Sequence, residues 1–349
     1  MSRTGPHGPS PDVSVVIPLY NSSSLVRACL TRLCSQTLAS ERFEVIVADD
    51  CSTDGSADAV EAMAPGLPFR LTLVRRSENG GPGAARNSGI EAARAPVIAL
   101  LDADTEPQPE WLEEGLAALE GFDAVEGFTE IGDPERITPF THQTENTSGG
   151  TFPTCNMFVR RSVFERIGGF DPRFYDRRAR VHYREDTDFA LRMLEHGMRL
   201  GFAEKAKVIH RPLSPGWKRP LQLARRYRHD RLLRRKHPGT FHRWTDVYTI
   251  CGRRFGRLRQ KLYWSYLAGL AALLVAAVSG LPVWIPGAWS LLCLGGIWWL
   301  HVRRMGRRAF TSLSSLAVVP VCAVVPFVYA ASVVRGVFLH PGGEGPQRK

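Results

Sequence analysis

Five short apolar runs, at 13–18, 44–48, 71–74, 97–101 and 124–128, alternate with polar or amphipathic stretches along the first third of the chain. Runs of this length, rich in Val, Ile and Leu and bracketed by Asp, Ser, Asn and Gly, predict strands buried on both faces. Between the first two, residues 24–37 place Leu25, Cys29, Leu33 and Gln36 at three- and four-residue spacing. That spacing predicts a helix with an apolar stripe, and the Ser cluster before it supplies a cap. Asp54-Gly55-Ser56 opens a short helix, and Gly80-Gly81-Pro82-Gly83 leads into another over 84–93. Strands alternating with helices at this spacing predict parallel βαβ units in a doubly wound α/β sheet. Further on the rhythm loosens into a strand at 155–159, helices at 162–167 and 184–196, and a strand over 206–210 that closes on His210. The long loop 131–152 is of the kind that shapes a substrate pocket.

A different pattern governs the C-terminal third. Residues 266–281, 283–300 and 313–334 are nearly uncharged, and each approaches the ~20 residues that cross a bilayer core. Gly280-Leu281-Pro282 makes the first two a hairpin, whereas Pro320 and Pro326 interrupt the third. Charge sharpens this division. Residues 1–200 carry 20 Arg and no Lys against 30 acids, a balance of −10, while 201–261 carry +15 and the remainder +6, giving the net +11. A basic belt followed by apolar spans points to anionic lipid and away from nucleic acid. The Trp217 to His237 segment, which interleaves Leu, Tyr and Trp with Arg and Lys, suits an interfacial helix. Basic clusters flanking the hairpin predict a multi-pass membrane protein with its N-terminal domain on the cytoplasmic side. The expected organisation is a disordered segment at 1–11, an α/β domain over 12–215, a basic juxtamembrane segment over 216–262, transmembrane helices over 263–338 and a tail at 339–349. The seven cysteines show no Cys-x-x-Cys pair, which excludes a zinc site or disulfide framework built on such spacing.

The candidate chemistry lies at strand ends. Asp49-Asp50 ends the second apolar run and Asp102-Ala103-Asp104 ends the fourth, and open parallel sheets bind ligands outside the carboxyl ends of their strands. Two carboxylates are too few to cage a divalent ion alone, but Mg²⁺ or Mn²⁺ is often held by one or two carboxylates plus substrate phosphates. Glu185, Asp186 and Asp188 crowd the first turn of the predicted helix 184–196. They either complement its dipole or supply a general base.

The order of these pieces resembles the family 2 glycosyltransferases of the GT-A fold. The resemblance covers roughly 12–210 and rests on Val13-Ser14-Val15-Val16-Ile17-Pro18-Leu19-Tyr20-Asn21, Asp49-Asp50-Cys51-Ser52-Thr53-Asp54-Gly55-Ser56 and Asn79-Gly80-Gly81-Pro82-Gly83-Ala84-Ala85-Arg86-Asn87. It continues through Leu101-Asp102-Ala103-Asp104, Gly168-Gly169-Phe170-Asp171 and Glu185-Asp186-Thr187-Asp188-Phe189. It implies a GT-A sheet and inverting transfer of a sugar from a nucleotide-diphosphate-sugar donor to a lipid-linked or glycan acceptor. Pro18, Tyr20 and Asn21 are then expected to border the nucleotide, Asp50 to meet the base and Arg86 to organise the pocket. Asp102 and Asp104 are expected to hold Mn²⁺ or Mg²⁺ on the diphosphate. Asp186 takes the place of the catalytic base, with Glu185 and Asp188 as supports. His210 stands where some relatives place a further metal ligand, against the alternative of a histidine satisfied by a backbone carbonyl. The Gln-x-x-Arg-Trp signature of processive members is replaced by Gln222-Leu223-Ala224-Arg225-Arg226, which argues against processive polymer synthesis. Two other readings compete: a polyprenyl-phosphate sugar synthase, and a catalytically inactive scaffold that binds a nucleotide sugar. A nucleotide-sugar pyrophosphorylase is disfavoured because no Gly-rich, Lys- or Arg-bearing loop follows the first strand.

Overall fold

The computed structural model describes residues 10–213, 216–245, 247–250 and 253–340. Most of the segment 1–11 expected to be disordered, most of the tail and Cys251 lie outside the described residues. The chain divides into two compact units, Met1–Gly132 with Gln143–Arg211, and Asp133–His142 with Pro212–Lys349.

The first unit contains strands β1 (Val13–Leu19), β2 (Phe43–Asp49), β3 (Arg70–Arg75), β4 (Val97–Leu101), β5 (Thr105–Pro107), β6 (Ala124–Ile131), β7 (Asn156–Arg160), β8 (Tyr175–Asp176), β9 (Val181–His182) and β10 (Leu200–His210). Eight of them form one sheet in the order β3-β2-β1-β4-β7-β6-β10-β5, and β8 pairs with β9 as a separate hairpin. From β3 through β4 the pairing is parallel, as it is between β6 and β10, while β7 and β5 run antiparallel to their neighbours. The chain leaves β1 for β2 and β3 and then returns to the other side of β1 as β4, so the connections reverse direction between β1 and β4. Sheets of this kind open their ligand crevice at that point, beyond the carboxyl ends of the strands.

Helices α1 (Ser23–Leu33), α2 (Ser56–Met63), α3 (Gly81–Ala92), α4 (Trp111–Ala118), α5 (Arg161–Ile167) and α6 (Glu185–Glu195) cover both faces. Along β1 the side chains alternate: Val15 and Ile17 join a core with α1, α2 and α4, and Val16 joins a second core with α3, α5 and α6. Each central strand is therefore buried on both sides, which is why it reads as an unbroken apolar run. The stripe of α1 is Val26, Cys29, Leu30 and Leu33. Leu25 is only partly covered and Gln36 falls beyond the helix end. There the Gln36 amide clamps the Gln108 carbonyl at 2.8 Å and the Leu112 amide at 3.0 Å.

Two buried polar groups lock the sheet. Asn156 accepts from Trp111 Nε1 at 2.8 Å and donates to the carbonyls of Phe128 and Ala206, each at 3.0 Å, joining α4, β7, β6 and the irregular middle of β10. At the amino end of the parallel strands, Glu44 accepts from Ser14 Oγ at 2.8 Å, Arg94 N at 2.8 Å and Arg94 Nε at 2.9 Å. α4, β5 and the β8–β9 hairpin are additions to the expected elements, each too short to impose a readable period. β10 begins earlier than the expected 206–210 because a register shift between Ala203 and Lys207 interrupts its alternation.

The second unit contains α7 (Arg219–Arg226), α8 (Asp230–Lys236), α9 (Phe241–Trp244), strands β11 (Val247–Ile250) and β12 (Arg253–Gly256), and then α10 (Leu258–Val278), α11 (Trp284–Val302), α12 (Leu313–Ala317) and α13 (Val319–Leu339). The basic segment 217–237 folds as two short helices around a 3-10 turn, and they pack on α13. A Cβ added at Gly336 would lie 2.4 Å from the Arg228 carbonyl oxygen, so glycine is what permits this close approach. Three segments, Leu258–Val278, Trp284–Phe310 and Leu313–Leu339, are long and apolar enough to cross a membrane. Pro320 sits in the first turn of α13, where its missing N–H costs nothing, and Pro326 is accommodated inside that helix.

Candidate active site

Strand register sets the site. Leu19 pairs with Asp49, and Val16 with both Ile46 and Leu100, so the ends of β1, β2 and β4 present Tyr20, Asp50 and Asp102 along one edge. Asn21 follows β1 with a φ of 47°. Its side-chain oxygen accepts from Thr53 N at 2.8 Å, tying the loop after β1 to the loop after β2. Pro18 lies one residue inside the end of β1, paired with Ala48.

Asp50 is buried, and its carboxylate accepts from Gly80 N at 2.9 and 3.1 Å, Gly81 N at 2.7 Å and Arg76 Nε at 2.9 Å. This pins the glycine-rich turn to the sheet edge. Gly81 adopts a φ of +82°, and a Cβ there would lie 2.8 Å from the Tyr175 ring, so both its backbone and its space demand glycine. The neighbouring Asp49 is also buried, yet its Oδ1 has no hydrogen-bond partner among the described residues.

Arg86, carried on α3, is buried and donates to Asp102 Oδ1 at 2.6 Å, with its guanidinium 5.7 Å from the centre of the Phe170 ring. Burial works against its charge, but Asp102 and Glu185 more than compensate and its pKa is raised. α6 brings in the second acidic group. Glu185 is buried and pairs with His182 Nδ1 at 2.8 Å. Burial alone would raise its pKa, but the histidine outweighs burial and holds it at about 2. Its Oε2 has no hydrogen-bond partner among the described residues. Asp186 is half-buried and accepts from Thr187 N at 2.6 Å. Burial first and the Glu185 charge second push its pKa up. Asp188, by contrast, is fully buried and paired with Arg192 at 2.9 Å, while Arg192 also holds the carbonyls of Ile167 and Gly169 at 2.6 Å each. That acid anchors the helix instead of facing the crevice.

Asp104 is mostly buried, and its Oδ2 lies 3.5 Å from His210 Nε2. Burial raises its pKa, His210 opposes this and Asp102 reinforces it. His210 Nδ1 sits 3.0 Å from the Arg211 carbonyl, which can only accept, so Nδ1 carries the hydrogen. In the neutral ring Nε2 then turns a lone pair toward a carboxylate oxygen. Two acceptors facing each other are reconciled by a proton on either group or by a metal ion. A carboxylate and an imidazole fixed by its other nitrogen form a chemically sound donor set for Mn²⁺ or Mg²⁺ completed by phosphate oxygens.

The expected residues Pro18, Tyr20, Asn21, Asp50, Arg86, Asp102, Asp104, Glu185, Asp186 and His210 thus gather at one edge of one sheet. The hairpin β8–β9 joins them without having been anticipated. Arg177 forms a two-pronged ion pair with Glu78 at 2.7 Å, Arg180 donates to Tyr20 Oη at 3.0 Å, and Tyr175 hydrogen-bonds Asn79. Only the run of arginines at 173, 177, 178 and 180 marked this segment in the sequence. Its paired residues are too few for strand alternation to appear.

The eight-stranded α/β sheet with acids converging at its switch point has the form of an open-sheet ligand site, and comparison with known proteins gives its family. The chain matches Glycosyl transferase family 2 over residues 14–170 and Glycosyl transferase family group 2 over residues 97–338. It belongs to the family 2 glycosyltransferases. It is 34% identical over 171 residues to glycosyltransferase AglE of Haloferax volcanii, covering 46% of this chain and 56% of that one. It is 30% identical over 230 residues to the pre-mycofactocin glycosyltransferase of Mycobacterium tuberculosis, covering 59% of this chain and 44% of that one. The chain spans about half the length of these curated relatives. Among solved structures it resembles mannosyltransferase PcManGT from Pyrobaculum calidifontis in complex with GDP-Man and Mn²⁺. The TM-score is 0.61 at 20% identity, over 93% of this chain and 87% of that one, a likeness in fold.

Proposed function

We propose that the protein transfers a sugar, with inversion, from a nucleotide-diphosphate sugar to an acceptor at a membrane, and that Mn²⁺ or Mg²⁺ assists. The observation that carries this reading is the convergence of Asp102, Asp104, Arg86, Glu185 and Asp186 at the sheet's switch point, with only part of their negative charge neutralised by protein groups. Pro18, Tyr20, Asn21 and Asp50 border the nucleoside. Because Asp50 already accepts from two amides and Arg76, its main contribution is to fix the glycine-rich turn, and a base contact replaces one of those bonds. Asp104 and His210, with Asp102 beside them, would hold the ion, whose chemistry would be to stabilise negative charge on a diphosphate leaving group. Arg86 orients Asp102 through its 2.6 Å bond.

Asp186 accepts the proton of the acceptor hydroxyl as that oxygen attacks the anomeric carbon opposite the leaving group. An ordinary aspartate is a weak base, so the upward pKa shift imposed by burial and by Glu185 serves this role. Glu185, kept ionised by His182, is the source of the second part of that shift. In this reading the apolar helices anchor the enzyme at a membrane, and the basic flanks of the hairpin favour a cytoplasmic catalytic domain. AglE and PcManGT are named as glycosyl- and mannosyltransferases, and the latter is seen with GDP-Man and Mn²⁺, which supports the donor class.

The test is a panel of nucleotide sugars offered to the detergent-purified full chain with Mn²⁺, Mg²⁺ or chelator, with the anomeric configuration of any product read by NMR. Metal-dependent consumption of one donor and an inverted product are expected. Retention of configuration, or turnover unchanged by chelator, contradicts the mechanism, and no binding to any donor favours the scaffold reading.

A further inference from the structure

The helical unit contains a cavity of about 980 Å³ whose walls come from α8, α10 and α13. Among the described residues five cations line it, Arg231, Arg234, Arg235, Arg257 and Lys261, against one acid, Asp230, which lies 3.4 Å from Arg257. Two of the arginines have an ordinary structural duty: Arg231 and Arg235 donate to the His340 carbonyl at the end of α13, at 3.1 and 3.4 Å. Capping a helix accounts for a hydrogen bond from each but leaves four positive charges in excess around one hollow. The other walls are apolar and aromatic, with Trp264, Tyr329, Val333 and Val337 among them.

Position along the helices fixes what can occupy the hollow. Arg257 precedes the first residue of α10, Lys261 is in its first turn and Trp264 in its second, while Val333 and Val337 belong to the last two turns of α13. At ~1.5 Å per residue, Trp264 lies about 10 Å from the start of α10. α10 is long and apolar enough to cross a bilayer and begins at the cavity, so the cavity falls at headgroup depth, with cations on the water side and aromatic and aliphatic groups toward the core. α11 returns the chain to this side, and α13, with Cys322 near His301 and Tyr329 near Trp264, runs across the end of the α10–α11 hairpin and closes the cavity. A soluble anion would satisfy only the cations. An apolar molecule would leave them uncompensated.

We propose that this cavity binds one anionic phospholipid of the bilayer, with its phosphodiester on Arg234, Arg257 and Lys261 and an acyl chain against Trp264, Tyr329 and Val333. Guanidinium groups suit a phosphate because their planar forks bond two oxygens together. The inference rests on the membrane placement of the helices and is independent of the sugar-transfer chemistry, so each can fail alone.

The test uses the full chain in neutral detergent, with native mass spectrometry to count retained lipid and thermal unfolding to follow its effect. Phosphatidylglycerol should be retained at one molecule per chain and raise the unfolding midpoint, whereas phosphatidylcholine and inorganic phosphate should do neither. The double variant Arg234→Gln/Lys261→Gln should bind phosphatidylglycerol at least about tenfold more weakly, since each lost charge near the headgroups removes a share of the attraction. Arg304→Gln, a basic residue outside the cavity, should bind as the wild type does. A fluorescence measurement needs no charge variant: phosphatidylglycerol with brominated acyl chains should quench a tryptophan signal that disappears in Trp264→Phe. Equal retention of phosphatidylcholine, undiminished binding by the double variant, or an equal shift with inorganic phosphate would overturn the proposal. Displacement of phosphatidylglycerol by a lower amount of polyprenyl monophosphate would also overturn it, reassigning the cavity to an acceptor lipid. A chain that stays monodisperse in buffer without detergent would instead refute the membrane placement.

Discussion

Two buried acids, Glu44 near the amino end of β2 and Asp50 just past its carboxyl end, are treated differently from the acids of the switch point. Glu44 is fully engaged by Ser14 and Arg94, and Asp50 is engaged by Gly80, Gly81 and Arg76. At the end of β4 and the start of α6, Asp102, Asp104, Glu185 and Asp186 share Arg86, Arg184, His182 and His210 among them, and two of the four have raised pKa values. An acid matched to its donors is architecture. Acids that share their partners, with Glu185 Oε2 unbonded among the described residues, leave carboxylate oxygens for a cation and a proton.

This contrast is broken most sharply at Asp104. Asp104→Ala should lower turnover by about 10³-fold or more while leaving the unfolding midpoint near that of the wild type, because an ion's ligand is lost while His210 keeps its bond to the Arg211 carbonyl. Asp186→Asn should keep donor binding, measured by calorimetry, and lose about 10²- to 10⁴-fold in transfer to a hydroxyl, the usual range for a positioned base. Unchanged kcat in either variant removes the role assigned to that residue. At the opposite end of the sheet the expectation inverts. Glu44→Ala should cost about 2–3 kcal/mol in denaturant unfolding by stranding Ser14 and Arg94, with kcat retained in the folded fraction.

The smallest effect concerns pH. A base works only when deprotonated, so a raised pKa for Asp186 means that activity is present above that value and is lost, as pH falls, earlier than an exposed aspartate would lose it. Glu185 is ionised throughout, its pKa being held at about 2, and its charge adds to the shift. Glu185→Gln should therefore move the acid limb of kcat to lower pH. A limb that does not move, or that moves upward, contradicts the coupling.

Much of the sheet was legible because strands buried on both faces leave unbroken runs: 13–18, 44–48 and 97–101 fall within β1, β2 and β4. The site followed from these runs, since Asp50 and Asp102 sit at their ends. What the sequence concealed depends on contacts distant along the chain or on elements too short to repeat. The β8–β9 hairpin has two residues per strand, and β10 loses its alternation at the shift between Ala203 and Lys207. By spacing alone the three acids at the start of α6 are equivalent, and only the family resemblance singles out Asp186. Asp188 departs from the others because Arg192, one turn on, turns it inward, and Glu185 because of His182. The basic segment 217–237 suggested one interfacial helix, but its Gly336 contact lies on α13, more than a hundred residues away in the chain.

The central claim is that the acid cluster at the switch point binds a nucleoside diphosphate through a divalent ion. The most direct measurement is calorimetric titration of UDP and GDP into the wild-type protein and Asp104→Ala, each with Mn²⁺ and with chelator. The account predicts that Mn²⁺ tightens binding of one nucleotide to the wild type and leaves the variant's weaker binding unchanged. Equal responses to Mn²⁺ in the two proteins, or no response in the wild type, would contradict it.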